Sequence, residues 1–172
     1  KDANGPVRMQ NLGELELYCD QVACAVGRLS VRVFGVPFEL QLKLSFAQGQ
    51  ALQLTNILRD IKEDIVLDRL YLPIDLLNSN GIHFNDIEDI IDSSDLSSVC
   101  FYLAELAENR YSDARALMSL CDQSTIRPAR MMLEMYNLIL YKLVDQGWED
   151  LSFRVSLKKT EILWATIRHG VL

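Results

Sequence analysis

Apolar residues near the start of the chain recur at intervals of three and four, which is the spacing of one helix face. Asn11, followed three residues later by Glu14, is typical of a capping box and predicts the start of this helix. Gly35 and then Pro37 predict its end. The residues predicted on its inner face are Leu15, Tyr18, Val22, Val26, Leu29 and Val33.

The pattern predicts two further segments before residue 95. A second long helix is expected from about Phe38 to Asp64, followed by a loop that Pro73 and the Asn80-Gly81 pair interrupt. The stretch "FNDIEDII" then predicts a short helix capped by Asn85, with acidic residues in the first turn, where the helix dipole favours them.

The rest of the chain also has helical periodicity. A fourth helix is expected over residues 95–121, a fifth over 127–148 with Pro128 near its first turn, where a missing N–H costs nothing, and a terminal helix over 160–170. The expected inner face of the fourth consists of Val99, Tyr102, Leu103, Leu106, Tyr111 and Leu117. Since no strand-like alternation of useful length and no repeat is found, we predict one all-α domain over residues 1–172.

Composition excludes several function classes. The 172 residues are 49% hydrophobic, and a net charge of −7 leaves no basic face for nucleic acid. No apolar run approaches the roughly 18 residues of a membrane span, so a cytoplasmic location is expected. Four unpaired cysteines predict buried free thiols in a reducing compartment. His83 and His169 have no ligand-spaced companions, so both are expected at the surface or in loops, without zinc.

A polar stripe interrupts the second helix. In "QALQLTNILRDIKED", residues 50–64, Asn56, Asp60 and Asp64 are four apart, which places them within an arc of about 80° along roughly 12 Å of helix. Oxygen ligands in this arrangement suit Mg²⁺. The alternative is a solvated helix end whose carboxylates pair with Arg59 and Lys62, and spacing alone leaves both open.

At this point the residues show a resemblance. The stretch "GQALQLTNILRDIKEDIVLDRLYLP" resembles the second aspartate-rich motif of the squalene/phytoene synthase family, and residues 18–35, 127–148 and "RVSLKK" at 154–159 are similar to further parts of that family. The resemblance implies the all-α isoprenoid synthase fold, a helical bundle around a central prenyl-diphosphate cavity. It also implies head-to-head condensation of two prenyl diphosphates.

The resemblance assigns roles to the polar residues. Asn56, Asp60 and Asp64 would hold Mg²⁺, or Mn²⁺ in its place, against the substrate diphosphate, whose departure leaves an allylic carbocation. The basic and phenolic groups expected beside that diphosphate are Arg59, Arg69, Tyr71 and Arg154. Taken singly, each arginine is more often a solvated surface residue, and only its motif position indicates more.

Other positions correspond to the family's prenyl cavity, namely Tyr18, Val22, Gly27, Ser45, Gly49, Gln53 and Tyr136. Tyr18 and Tyr136 would take part in catalysis by turning aromatic faces toward a developing cation, or they are ordinary core tyrosines. Gly27 and Gly49 either permit close helix packing or leave room for a farnesyl chain. On the second interpretation, added bulk at either glycine should impair substrate binding before it unfolds the protein.

One departure from the family pattern concerns the first aspartate-rich motif, which is not found in this sequence. The chain also begins "KDANGPVRMQ", without Met. We therefore expect it to be the C-terminal portion of a longer protein whose first helices lie outside this sequence. On that expectation the chain holds half an active site and is inactive alone.

The bacterial presqualene diphosphate synthases of hopanoid pathways are the group that the sequence resembles most. They join two farnesyl diphosphates, and their lipid product and pathway imply contact with a membrane surface and with other pathway enzymes. The resemblance to these enzymes implies that NADPH is not needed; the absence of a GxGxxG after a strand is only suggestive, because family members that use NADPH bind it without a Rossmann fold. The alternatives are a phytoene synthase acting on geranylgeranyl diphosphate, a complete NADPH-dependent squalene synthase, and a non-catalytic assembly factor.

Overall fold

The computed structural model describes residues 5–166, with side chains to Trp164, and confirms the all-α prediction. The helices are α1 (Leu12–Cys19), α2 (Ala25–Val33), α3 (Phe38–Arg59), α4 (Ile61–Val66), α5 (Ile74–Ser79), α6 (Leu96–Ser119), α7 (Gln123–Gln146) and α8 (Lys159–Thr166). Two short strands, β1 (Val7–Arg8) and β2 (Arg69–Leu70), pair in parallel. None of the helices in this part of the chain is both long and apolar enough to cross a bilayer.

The first predicted helix is interrupted by a π-helical turn, Asp20–Cys24, which joins α1 to α2. Its predicted cap is confirmed, because Asn11 Oδ1 accepts a hydrogen bond from the Glu14 N–H at 3.0 Å. The Glu14 carboxylate accepts from the N–H of Gln10 at 2.8 Å, one residue before the position that a capping box predicts.

The predicted inner face of this helix is wrong beyond Tyr18. Val26, Leu29 and Val33 are 61–83% exposed, and Val22 is 40% exposed. The face that packs on α3 carries Gly27, which lies against Ser45, and the residue of α2 that is buried is Val31. Periodicity cannot tell which of two partly apolar faces lies inward, and close contact between helices selects the face with small residues.

The second predicted helix is not continuous, because it breaks at Asp60, where φ is −107° and ψ is 16°. The Asp60 N–H still donates to the carbonyl of Asn56 at 2.9 Å, and Asp64 donates to Asp60 at 2.8 Å. The buried indole N–H of Trp148 donates to the carbonyl of Leu58 at 3.0 Å, directly before the break. The polar stripe is therefore bent at its central residue.

Three smaller predictions are corrected. The loop expected after residue 64 contains α5, which Pro73 precedes and Asn80 ends. The expected helix at "FNDIEDII" is a short 3-10 turn whose cap is Asp86 instead of Asn85. Pro128 lies in the second turn of α7 and not in the first, because the helix begins at Gln123. Its missing N–H therefore removes a hydrogen bond that the prediction assumed was never needed.

Helix α3 is the centre of the structure and packs against α2, α6 and α7. Two buried hydrogen bonds fix these contacts: Thr55 bonds the Tyr111 hydroxyl at 2.8 Å, and the Gln48 amide donates to the carbonyl of Ala129 at 3.0 Å. Of the predicted inner face of α6, Val99, Leu103 and Tyr111 are buried, whereas Tyr102 is 48% exposed.

The expected burial of the four cysteines and the expected exposure of His83 are confirmed. All four cysteines are free and buried. Burial raises the pKa of the Cys19 thiol to about 12 and that of Cys24 to about 11, so neither is a thiolate at neutral pH. His83 is exposed, with Nδ1 3.1 Å from the Asn78 amide oxygen. His169 and the end of the predicted terminal helix lie outside the described residues.

Candidate functional site

The break in the central helix places Asp60 between two arginines. Arg59 donates from Nε and Nη2 to the two carboxylate oxygens at 2.8 and 2.7 Å. Arg154, which follows α7 in the chain, reaches Oδ1 from Nε and Nη2 at 2.9 and 2.6 Å. Arg154 Nε also lies 3.4 Å from the carboxylate oxygen Oε1 of Glu63. The fold thus brings three of the predicted site residues together across 94 positions of sequence.

The ionisation of Asp60 follows from this arrangement. Burial alone would raise the pKa of its carboxyl, but hydrogen bonds and charge from Arg59 and Arg154 outweigh burial and lower that pKa below its usual range. The hydrogen bonds between Arg59 and Asp60 in turn raise the pKa of the Arg59 guanidinium. Asp60 is therefore a carboxylate throughout the neutral range.

Because the pKa of Asp60 is lowered on folding, its contribution to stability should depend on pH in a defined direction. The contribution is fully present above the unfolded carboxyl pKa of about 3.9 and is lost as pH falls through the lower folded value. We expect the difference in unfolding free energy between the parent protein and Asp60→Asn to be constant near pH 7 and to shrink below about pH 4. Urea unfolding at several pH values measures it, and a difference that grows on acidification would contradict the assignment.

A second group of predicted residues surrounds a shallow depression beside α4. Asp64, Arg69 and Tyr71 line it together with apolar residues, mainly Ile57 and Ile61. The ring of Tyr71 stacks on that of Tyr18, with centroids 4.8 Å apart and planes at 27°. Helix α1 and the residue that follows strand β2, distant in sequence, thus meet at an aromatic pair next to a carboxylate and an arginine.

Asn56 and Gln53 lie on the last turns of α3 and are both half-buried. The amide nitrogen of Asn56 is 3.5 Å from the side-chain oxygen of Gln53. The side-chain oxygen of Asn56 is buried and has no hydrogen-bond partner among the described residues. An unsatisfied buried carbonyl oxygen is unfavourable unless a cation, water or ligand completes it.

These residues fit a hard divalent cation that brings other oxygen ligands with it. No set of three or more His, Cys, Asp and Glu side chains within residues 5–166 is placed to hold a metal. Asn56, Asp60 and Asp64 instead offer one amide and two carboxylates, and Mg²⁺ commonly takes one or two carboxylates and completes its shell with phosphate oxygens and water. The unpartnered Asn56 oxygen beside an ionised Asp60 supports this fit.

The predicted catalytic tyrosines fall in different groups. Tyr136 is half-buried on α7, and its phenol is among the groups that raise the pKa of Arg59, so it lies with Asp60 and the arginines. Tyr18 lies with Tyr71 beside the other group. The fold therefore places one tyrosine near Arg59 and the other against Tyr71.

The remaining predicted cavity residues lie at or near the contact of α2 and the π turn with α3. Ser45 is fully buried, and its hydroxyl donates to the carbonyl of Leu42 at 3.0 Å. A Cβ on Gly27 would be 3.2 Å from the Ser45 carbonyl oxygen, and one on Gly49 would be 2.6 Å from Cys24 Sγ. Both glycines thus permit close helix packing, while Val22 lies at the surface.

The sequence reasoning missed Trp148 as a site residue. Trp148 lines a groove with Arg59, Lys62 and Arg154, between the end of α3 and the segment after α7. Its indole also meets Phe101 edge-on, with centroids 5.2 Å apart. The sequence signal for Trp148 was its place directly after Gly147, which ends α7. A buried indole N–H needs a hydrogen-bond acceptor, and a loop segment seldom supplies one from nearby residues.

Comparisons with known proteins place the chain among relatives of similar sequence and fold. The family profile described as "Squalene/phytoene synthase" matches residues 1–161. A presqualene diphosphate synthase of Zymomonas mobilis subsp. mobilis is 40% identical, over 97% of this chain and 57% of the relative. One from Rhodopseudomonas palustris is 39% identical, over 99% and 61%. A phytoene synthase of Thermus thermophilus is 36% identical, over 91% and 54%.

Two solved structures have a similar fold. A dehydrosqualene synthase in complex with ligand superposes with a TM-score of 0.81 at 25% identity, covering 99% of this chain and 60% of that one. Squalene synthase HpnC from Alicyclobacillus acidocaldarius gives a TM-score of 0.72 at 30% identity, covering 86% and 56%. The chain thus spans between 54% and 61% of the length of the relatives and structures named here.

Proposed function

Because this chain belongs to the squalene/phytoene synthase family and has its isoprenoid synthase fold, we propose that it supplies one diphosphate site of a prenyltransferase. The reaction proposed is the Mg²⁺-dependent condensation of two farnesyl diphosphates to presqualene diphosphate and pyrophosphate. The observation that carries the proposal is the unpartnered Asn56 oxygen next to an Asp60 carboxylate held by two arginines. Relatives named presqualene diphosphate synthase support the choice of product.

Asn56, Asp60 and Asp64 would hold the cation, which neutralises the leaving diphosphate when bound. Arg59 donates to both oxygens of Asp60, and Arg154 donates to one of them. Among the described residues, Oδ2 of Asp60 accepts a hydrogen bond from Arg59 alone, so it keeps a lone pair that could face a cation. A guanidinium that leaves Oδ1 would be free to pair with a diphosphate oxygen, for which its planar fork is suited. The ion pairs would thus hold the arginines ready near the site before substrate arrives.

The two tyrosine groups would act on the organic part of the substrate. The stacked rings of Tyr18 and Tyr71 offer an aromatic face beside Asp64 and Arg69, where an allylic cation would form as the diphosphate leaves. Tyr136 lies near Arg59 and would orient the guanidinium. Gln53, next to Asn56, would extend the polar wall toward the prenyl chain.

Phytoene synthesis from geranylgeranyl diphosphate is the second candidate, because a relative with that name is 36% identical. A complete squalene synthase that uses NADPH is the third, since one structural neighbour carries the name squalene synthase. A non-catalytic assembly role is disfavoured, because Asn56, Asp60 and Asp64 are all retained and such proteins have no need of metal carboxylates.

Product analysis distinguishes these reactions. The assay uses a protein of the length typical of the family that contains these 172 residues. It is incubated with farnesyl diphosphate and Mg²⁺, with and without NADPH, and the products are identified by mass spectrometry after phosphatase treatment. We expect presqualene diphosphate under both conditions and a preference for farnesyl over geranylgeranyl diphosphate in competition. Squalene formed only with NADPH would make it a complete squalene synthase, and phytoene from the longer substrate would establish the second candidate. Binding to anionic vesicles or to pathway enzymes can be assayed with the same protein.

A further inference from the structure

The turn that leads from α4 to β2 has an uncommon backbone conformation. Asp68 has a φ of 58°, in the left-handed region that residues other than glycine seldom adopt. Its N–H donates to the carbonyl of Ile65 at 2.9 Å, so it is the first residue past the helix cap, where glycine is usual. The next residue is Arg69, which lines the same depression as Asp64. The direction of Arg69 therefore depends on how Asp68 is held.

The Arg8 side chain contacts both the backbone carbonyl and the side-chain carboxylate of Asp68. Nη1 of Arg8 donates to the carbonyl of Asp68 at 2.8 Å, and Nη2 forms a short ion pair with the Asp68 carboxylate. The Val7 N–H donates to the same carbonyl at 3.1 Å. The left-handed residue thus receives two backbone-directed hydrogen bonds and a charge contact from one short strand.

That strand is itself fixed to the core. Val7 and Met9 are both buried, with 8% exposure. Met9 donates to the carbonyl of Leu70 at 3.2 Å and accepts from the N–H of Ile74 at 2.9 Å. Residues 7–9 therefore run alongside the whole segment from Asp68 to Ile74, which contains Arg69 and Tyr71. Arg8 is the member of this strand whose side chain reaches the turn.

We propose that Arg8 is a positioning residue: by holding Asp68 in the left-handed conformation, it directs Arg69 and Tyr71 toward the candidate diphosphate site. The expected effect on diphosphate binding rests on the proposed function, whereas the effect of Arg8 on the turn at Asp68 does not. Glycine at residue 68 would adopt the same φ without strain, yet it would leave Arg8 no carboxylate to bind. An aspartate at this position is therefore strained in the left-handed conformation, but it provides the carboxylate that Arg8 binds.

The test combines Arg8→Met, which keeps the aliphatic stem and removes all donors, with Asp68→Gly. In the ligand-free 172-residue chain, Arg8→Met should speed amide hydrogen exchange at residues 69–72 by about tenfold, because the turn opens locally. Affinity for Mg²⁺ with pyrophosphate, measured by calorimetry, should fall by a similar factor of about ten. Adding Asp68→Gly to Arg8→Met should restore most of both, since glycine adopts the left-handed conformation without the strain that an aspartate has there. Arg8→Lys should give an intermediate result.

Arg32→Met, at an exposed arginine on α2, is the matched control and should change neither measurement. Unaltered exchange at residues 69–72 in Arg8→Met would overturn the proposal, as would a loss of affinity that Asp68→Gly fails to restore. If the parent chain does not bind Mg²⁺ with pyrophosphate, the proposed function fails. The exchange rates of the variants would still decide whether Arg8 fixes the turn.

Discussion

Asp60→Asn and Asp64→Asn are each expected to reduce prenyl-condensing activity by about 100-fold or more, because each removes a negatively charged ligand from the proposed cation site. A loss of that size corresponds to about 2.7 kcal/mol of transition-state stabilisation. The measurements are initial rates with farnesyl diphosphate in a synthase that carries this chain. Calorimetric titration of the 172-residue chain with pyrophosphate in Mg²⁺ provides a readout that does not depend on turnover.

The two substitutions should differ in their effect on stability. Asp60→Asn also weakens the contacts with Arg59 and Arg154, so it should lower the unfolding free energy by about 1 kcal/mol at pH 7. Asp145→Asn, at an exposed position on α7, is the control and should leave rate, affinity and stability unchanged. Full pyrophosphate affinity in both site variants would refute the metal assignment, whatever their stability.

Gly49→Ala is expected to lower the unfolding free energy by about 2–3 kcal/mol, which is the usual effect of adding an atom to a packed interface. The added Cβ would be 2.6 Å from Cys24 Sγ and 2.8 Å from both the nitrogen and the Cα of Cys24. Two of these atoms belong to the backbone of the π turn, so the helix itself would have to shift. Thermal unfolding should show a fall of roughly 5–10 °C.

Gly27→Ala is the matched control, because its added Cβ would meet Ser45 at 3.2–3.4 Å. The gain in helix propensity, about 1 kcal/mol, should largely offset that milder contact. Gly49→Ala should therefore lower the stability of the protein before it affects substrate binding. A role in the cavity wall implied the opposite order, with substrate binding affected first. A Gly49→Ala protein as stable as its parent would mean that α3 and the π turn can separate without strain.

The helices themselves were predictable because local sequence determines them. Asn11 caps α1 as its spacing to Glu14 indicated, and the long apolar runs became α3, α6 and α7. The break at Asp60 was not predictable, since the residues on both sides are good helix formers. The bend accompanies contacts from Trp148 and Arg154, which come from about 90 residues further along the chain. Local pattern carries no information about such partners.

For this protein the sequence by itself determined the all-α class, the positions of the long helices to within a few residues, and the identity of the polar residues that the family motif contains. Only the tertiary structure decided which faces are buried and how those polar residues are grouped. Two observations show this difference: the apolar stripe of α2 lies outward while Gly27 lies against Ser45 of α3, and Asp60 pairs with the distant Arg154 whereas Asp64 lines a depression with Arg69 and Tyr71. The physical reason is range. Helix formation depends on residues three or four apart, whereas burial and ion pairing depend on which distant segments pack together.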